Sequence, residues 1–373
     1  MLHRPVAYVG EAMRLLVLAV IVTSLAVGAG PTPAQVTPGR CQGEPATMVG
    51  APTRATVVGT EGRDVIISNG SDVDARGGAD VICVSGGSTY VDGGDGRDSL
   101  RIHAVTDATM LSGGSGTDTL DVVARVVAPW TIDVPLQRIS TGGSTGGSTG
   151  GSTGGASAAI TDLEHYRLGG STWSSLVFSG GPGADLLDLT GETHPRTGRP
   201  LSVDLGPGND TLRLLPGQAD PSEYLFAGRG RDAITLVRPG KRALRSVFGS
   251  TRHHSYSIDG TVDAVFLGFE NIAAENFSEI TLEAGNDDNV LRAVGCQARL
   301  TDSSGDDVLR FVRARSCRPA DRGGATMQAR YGDDLLIGST SDDTLDGGSG
   351  RDVARGGDGT DRCVAEVRRG CES

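Results

Sequence analysis

The stretch ARYGDDLLI-GSTSDDTLD-GGSGRDVAR-GGDGTDRCV, residues 329–364, divides into four nonapeptides without a slip in register. Position six is aspartate each time, at Asp334, Asp343, Asp352 and Asp361, and position eight is apolar each time, at Leu336, Leu345, Ala354 and Cys363. The shared pattern is G-G-x-G-x-D-x-U-x, where U is apolar. Glycines at positions one, two and four allow positive φ and close backbone approach, so six residues read as a tight turn. The last three read as a short strand that sends one side chain, position eight, inward. Each unit is then half a coil, and two units complete one coil of a flattened parallel solenoid. A single inward residue makes no core by itself, so stacked neighbours must supply it.

The template recurs upstream as GTEGRDVII from Gly59, ARGGADVIC from Ala75, GGDGRDSLR from Gly93 and GGSGTDTLD from Gly113. After a gap come GGPGADLLD from Gly180, LGPGNDTLR from Leu205 and AGRGRDAIT from Ala227, then the weaker AGNDDNVLR from Ala284 and DSSGDDVLR from Asp302. Cryptic units such as VSGGSTYVD (84–92) and AVGCQARLT (293–301) lose the aspartate but keep an apolar eighth position, Val91 and Leu300. Turns on one edge belong to alternate units, stacked about 4.8 Å apart, which sets the position-six carboxylates in a row. Left bare, the row repels itself. A hard cation held by carboxylates and backbone carbonyls would turn that repulsion into cohesion.

These residues resemble the RTX, or haemolysin-type calcium-binding, repeat family. The resemblance implies Ca²⁺ in the turns and folding driven by the metal after export. Carried over residue by residue, it pairs Asp334 with Asp352 and Asp343 with Asp361, and it stacks Asp64, Asp80, Asp98 and Asp118 along one edge. Asp185, Asp210, Asp232 and Asp307 fit the template as isolated candidate ligands. Ser339 and Ser341 stand where turn glycines belong and Asn289 where an aspartate belongs, changes that weaken those sites. The expected fold is all-β: a right-handed parallel β-roll, or β-solenoid, of nonapeptide repeats with irregular wider coils.

Bulk composition agrees with a repeat. Glycine supplies 57 of 373 residues, about twice the roughly 7% of an average chain, and aromatics only 4%, too few for an ordinary aromatic core. A net charge of −12 argues against a nucleic-acid partner, which needs a basic face. Arg4 and Arg14, the apolar run Leu15 to Val27 and a small-residue exit ending at Ala34 read as a signal peptide, with no membrane span after its removal. The chain is therefore expected to be secreted. Outside the cell, Cys41, Cys83, Cys296, Cys317, Cys363 and Cys371 read as disulfides, and proximity favours 41–83, 296–317 and 363–371.

The chain divides into a signal peptide (1–34), an N-terminal lead or cap (35–55), a first calcium-repeat block (56–135), a Gly/Ser/Thr tract (136–158), an irregular solenoid with scattered repeats (159–274) and a C-terminal block with its cap (275–373). The tract reads either as a linker between two domains or as a loop within one roll. ITDLEHYRLGG (160–170) and VDAVFLGFENIAA (262–274) resemble each other, and Glu164 and Glu270 read more readily as turn or ladder-capping groups than as functional carboxylates. The function expected is a non-enzymatic, calcium-binding extracellular roll, with an extracellular glycan or cell-surface molecule as a further partner. The alternative is a glycan-active β-helix enzyme, for which Arg-His-His-Ser-Tyr (252–256) offers the one candidate cluster, His253 and His254 beside Tyr256. No nucleophile motif accompanies it.

Overall fold

The computed structural model describes residues 39–372 except 53–54, 106–109, 124–127, 143–155, 170–172, 192–199, 216–223, 239–245 and 319–322. The proposed signal peptide lies outside these residues, as does the centre of the Gly/Ser/Thr tract. Every regular element described is a strand, most of only two to seven residues, and nearly all pairings are parallel. The strands form two columns. One runs from Met48–Val49 through Val65–Ile67, Val81–Cys83, Ser99–Ile102 and Thr119–Val123 to the last rung, Val367–Arg369. The other runs from Val57–Val58 through Val73–Asp74, Tyr90–Asp92 and Met110–Ser112 to Arg362–Val364. The long strands Phe269–Glu283 and Val290–Thr301 serve both columns. This is the expected solenoid.

Position eight builds the core. Ile66, Ile82, Leu100, Leu120, Leu187, Leu212, Ile234, Leu309 and Leu336 are all fully buried in one continuous cluster, and so are Val91 and Leu300 from the aspartate-free units. In-register stacking sets Leu187 on Leu212 and Leu212 on Ile234, which is how units with one inward residue obtain a packed interior. The scarce aromatics concentrate in the irregular middle, where Trp130, Tyr166, Trp173, Phe178, Tyr256 and Phe266 fill wider coils. Towards the C-terminus the stack narrows, with Leu336 followed by Ala354 and Leu345 by Cys363.

Two coils are wider because the chain overshoots and doubles back. Ala128–Asp133 pairs in parallel with Trp173–Ser179, returns antiparallel through Arg138–Thr141, and reaches Ala156–Thr161, which sits on Met110–Ser112. Ser246–Ser250, Ser255–Ile258 and Thr261–Leu267 repeat the same meander between Tyr224–Phe226 and Phe269–Glu283. The strands on both sides of the Gly/Ser/Thr tract thus belong to one sheet. The described residues belong to one compact unit.

Both ends of the roll are stapled. The hairpin Arg40–Cys41/Glu44–Pro45 lays Cys41 over Val65 and Val81 on the outer face, pinned by Cys41–Cys83. That explains the apolar outward residues of the first coils. Further along, the column that begins with Ile67 and Cys83 carries Arg101, Asp121, Arg167, Asp188 and Arg213 on successive rungs, an alternation of opposite charges that favours the observed register. Cys296–Cys317 braces the C-terminal third and Cys363–Cys371 ties the tail to the final coils, so all three expected pairings are present.

Replacing Leu212 by Ala should cost about 2–5 kcal/mol, because its fully buried side chain packs between two others of its own column. The exposed Val290→Ala should change stability by less than about 0.5 kcal/mol. Denaturant unfolding in excess calcium checks both.

Candidate metal-binding edges

The turns pack backbone against backbone. At position four Gly96 has φ +141°, and a Cβ built on it would lie 1.6 Å from the carbonyl oxygen of Gly78 in the preceding coil. Only glycine fits such a place. The turn segments Gly77–Gly78, Asp95–Gly96 and Ser115–Gly116 even pair with one another in parallel. Carbonyl oxygens of successive turns are thereby stacked along the edge of the roll.

On that framework the position-six aspartates form hydrogen-bonded ladders. The backbone N–H of Asp64 donates to Oδ1 of Asp80 at 2.7 Å, that of Asp80 to Asp98 at 2.8 Å, and that of Asp98 to Asp118 at 2.7 Å. A second run joins Asp185 to Asp210 and Asp210 to Asp232, both at 2.7 Å. A third joins Asn289 to Asp307 at 2.6 Å, Asp307 to Asp334 at 2.9 Å and Asp334 to Asp352 at 3.0 Å. These three runs share one edge. On the opposite edge Asp343 donates to Asp361 at 2.7 Å.

Both expected C-terminal pairs and the expected N-terminal stack are therefore in place, and one expectation is corrected. Asp185, Asp210, Asp232 and Asp307 are not isolated. Their partners lie 25, 22 and 27 residues away rather than 18, because the intervals between rungs are of uneven length while the strand register is kept.

Each run ends on a glutamate. Glu164 Oε2 accepts the N–H of Asp118, Glu270 Oε2 that of Asp232, Glu366 Oε2 that of Asp352 and Glu372 Oε2 that of Asp361. Glu164 and Glu270 follow the last strand of the two meanders, which accounts for the likeness of 160–170 and 262–274. Each run also opens on a residue whose side chain is hydrogen-bonded within its own surroundings, although Oδ1 of Asn289 stays without a partner. Oδ2 of Asp64 accepts from Thr60, Oδ2 of Asp185 from the N–H of Gly181, and Oδ2 of Asp343 from the N–H of Ser339, while the Asn289 amide donates to the Glu270 carbonyl. With Oδ1 bound to the N–H of Ala325, Asp343 keeps no free oxygen.

The remaining aspartates do keep one. Oδ2 of Asp80, Asp98, Asp118, Asp210, Asp232, Asp307, Asp334, Asp352 and Asp361 is buried without a hydrogen-bond partner. Burial drives these carboxyls up from their ordinary range, to about 7 for Asp98 and Asp210 and about 6 for Asp118 and Asp334. Neighbouring carboxylates add to the rise, and the ladder N–H bonds offset part of it. Two charges 4.8 Å apart repel by about 3.5 kcal/mol at an effective dielectric of 20, more than the roughly 1.5–3 kcal/mol of one hydrogen bond to a charged group. A carboxylate row in this state wants a cation.

The donor set suits calcium: hard oxygens, with bare carboxylate atoms beside stacked carbonyls. Among the described residues no three carboxylates, histidines or cysteines form a ready-made sphere, so a cation in a ladder gap would draw further oxygens from the turn backbone. A second, exposed ladder at position five escaped the sequence reading. The N–H of Asp306 donates to Asp288, that of Asp333 to Asp306 and that of Arg351 to Asp333. Its signal is the doubled Asp-Asp of the weaker C-terminal copies. The histidine cluster does not assemble: Tyr256 is fully buried, while His253 sits at an exposed turn 3.6 Å from Glu283.

Residues 329–363 match the RTX calcium-binding nonapeptide repeat, in four copies. No curated protein matches the chain.

Without metal, the folded chain binds protons that the unfolded chain, with carboxyls near pH 4, does not bind at neutral pH. Stability of the metal-free protein should therefore rise as pH falls from about 8 to 5, while calcium-loaded protein should lose stability over the same range as protons compete for the carboxylates. Urea midpoints at pH 8, 6.5 and 5, with chelator and with calcium, measure both slopes.

Proposed function

We propose that this is a secreted, non-enzymatic protein whose roll is ordered by calcium once the chain has left the cell. The observation that carries the reading is the column of buried, unpartnered aspartate oxygens facing stacked turn carbonyls. Such a column is costly without a divalent cation and cohesive with one, so binding and folding are linked. Calcium is then a structural ligand. The three disulfides fit an oxidising exterior, and the signal-like N-terminus supports export. The non-enzymatic reading draws on the fate of the regular aspartates, which the ladders use for the fold, and on Tyr256, which the core takes away from the histidines.

Calcium added to metal-free protein should raise the far-UV circular dichroism β-signal and the melting temperature, with a midpoint of about 10⁻⁴–10⁻³ M. Magnesium at equal concentration should be a poor substitute, since it dehydrates reluctantly and demands a strict octahedron. A full β-signal in chelator, with no calcium effect on melting, would sink the proposal.

A further inference from the structure

One turn carries a carboxylate at position one, where the other copies have glycine, alanine or leucine. Position one is glycine at Gly93, Gly113, Gly180, Gly338, Gly347 and Gly356, and a Cβ built there would come within 2.3–2.9 Å of Oδ2 of the same unit's position-six aspartate. In these units position one therefore aims whatever it carries at Oδ2 of the position-six aspartate. In DSSGDDVLR (302–310) it carries a carboxylate, Asp302, and the position-six residue is Asp307. Asp302 is only 3% exposed, and neither of its oxygens has a hydrogen-bond partner of good geometry. Oδ2 of Asp307 is likewise buried and unpartnered. Burial and the neighbouring Asp302 carboxyl both push Asp307 well above the usual carboxylate range.

Packing does not require this residue. Elsewhere the position is held by buried Ala75, Ala227, Ala284 and Ala329, so a methyl group suffices. Nor does a cation of the chain compensate it, because Arg330, the basic group acting on Asp302, is exposed. Two ionised carboxylates buried side by side with three of their four oxygens unpartnered cost several kcal/mol, a cost that a cation or a shared proton between them would relieve. The exposed position-five carboxylates Asp288, Asp306 and Asp333 add negative potential to the same stretch of edge.

We propose that Asp302 is a calcium ligand added to the repeat template. With Asp307 it forms a two-carboxylate site at the gap between the Asp307 and Asp334 coils, and this is the tightest calcium site of the protein. The proposal rests on the calcium reading of the ladders and adds a residue that the repeat pattern does not call for. Ligand charge sets calcium affinity in oxygen sites, so this gap should fill first, as a separate class ahead of gaps with glycine or alanine at position one.

Calorimetric calcium titration of the full chain, wild type against Asp302→Ala, tests it. The substitution copies the alanine of four other units and should fold. The wild type should show a tight class of one site, which in D302A is lost or weakened by at least about tenfold, with the later class unchanged. In chelator D302A should melt above the wild type, since a buried charge has gone; in saturating calcium that advantage should vanish or reverse. An unchanged tight class, with the melting advantage kept in calcium, would overturn the proposal and leave Asp302 and Asp307 as a proton-sharing pair. Absence of any calcium binding by the wild type would overturn the ladder reading itself, so the two failures are distinguishable.

Discussion

The structure depends on a backbone N–H of one coil donating to the aspartate carboxylate of the next. That bond does two things at once. It fixes the axial register of turns that have no side-chain core of their own, and it lines up charges that repel. A repeat using asparagine or serine would gain the hydrogen bond without the repulsion. The sequence retains aspartate at nearly every rung, which makes sense only if charge is wanted there. Position eight follows from the same geometry. Once turns are locked one above another, one inward Leu or Ile per half-coil is enough to close a continuous interior.

The glutamates show how the repulsion is contained. A row of like charges becomes costlier with every rung, and here no run exceeds four acidic rungs before a glutamate closes it: Glu164 after Asp118, Glu270 after Asp232, Glu366 after Asp352. The glutamate reaches back to the last N–H without offering its own N–H to a following carboxylate. At Glu164 that N–H turns instead to the Asp118 carbonyl. Two of these breaks coincide with the antiparallel meanders, so the places where the ladder stops are also the places where the chain abandons simple coiling.

What could be read from the chain alone divides along the line between local and distant contacts. The nonapeptide pattern is local, and from it the turns, the inward residues, the C-terminal pairs and the closing disulfide followed correctly. Stacking across uneven coils is distant. Asp185, Asp210 and Asp232 looked solitary because intervals of 25 and 22 residues break the period, although the rungs themselves keep register. The likeness of 160–170 and 262–274 was visible, yet the role of Glu164 and Glu270 as run ends appears only once strands that double back bring them beneath Asp118 and Asp232. Glu366 and Glu372 stand outside any nonapeptide and carried no signal at all.

Asp302 belongs to a different category, since it stands at a glycine position in a copy that the pattern ranks among the weaker ones. A degenerate copy is ordinarily read as a weakened one. Here three of the copies that depart from the template do so in opposite chemical directions. Asn289 removes a charge from the ladder, and the Ser339 side chain adds a hydrogen bond to the Asp343 carboxylate beside that of its backbone N–H. Asp302 instead adds an unpartnered oxygen beside an existing one. Distance from a consensus therefore says little about a site in this fold; the count of oxygens left without hydrogen bonds says more, because that count is what a cation meets.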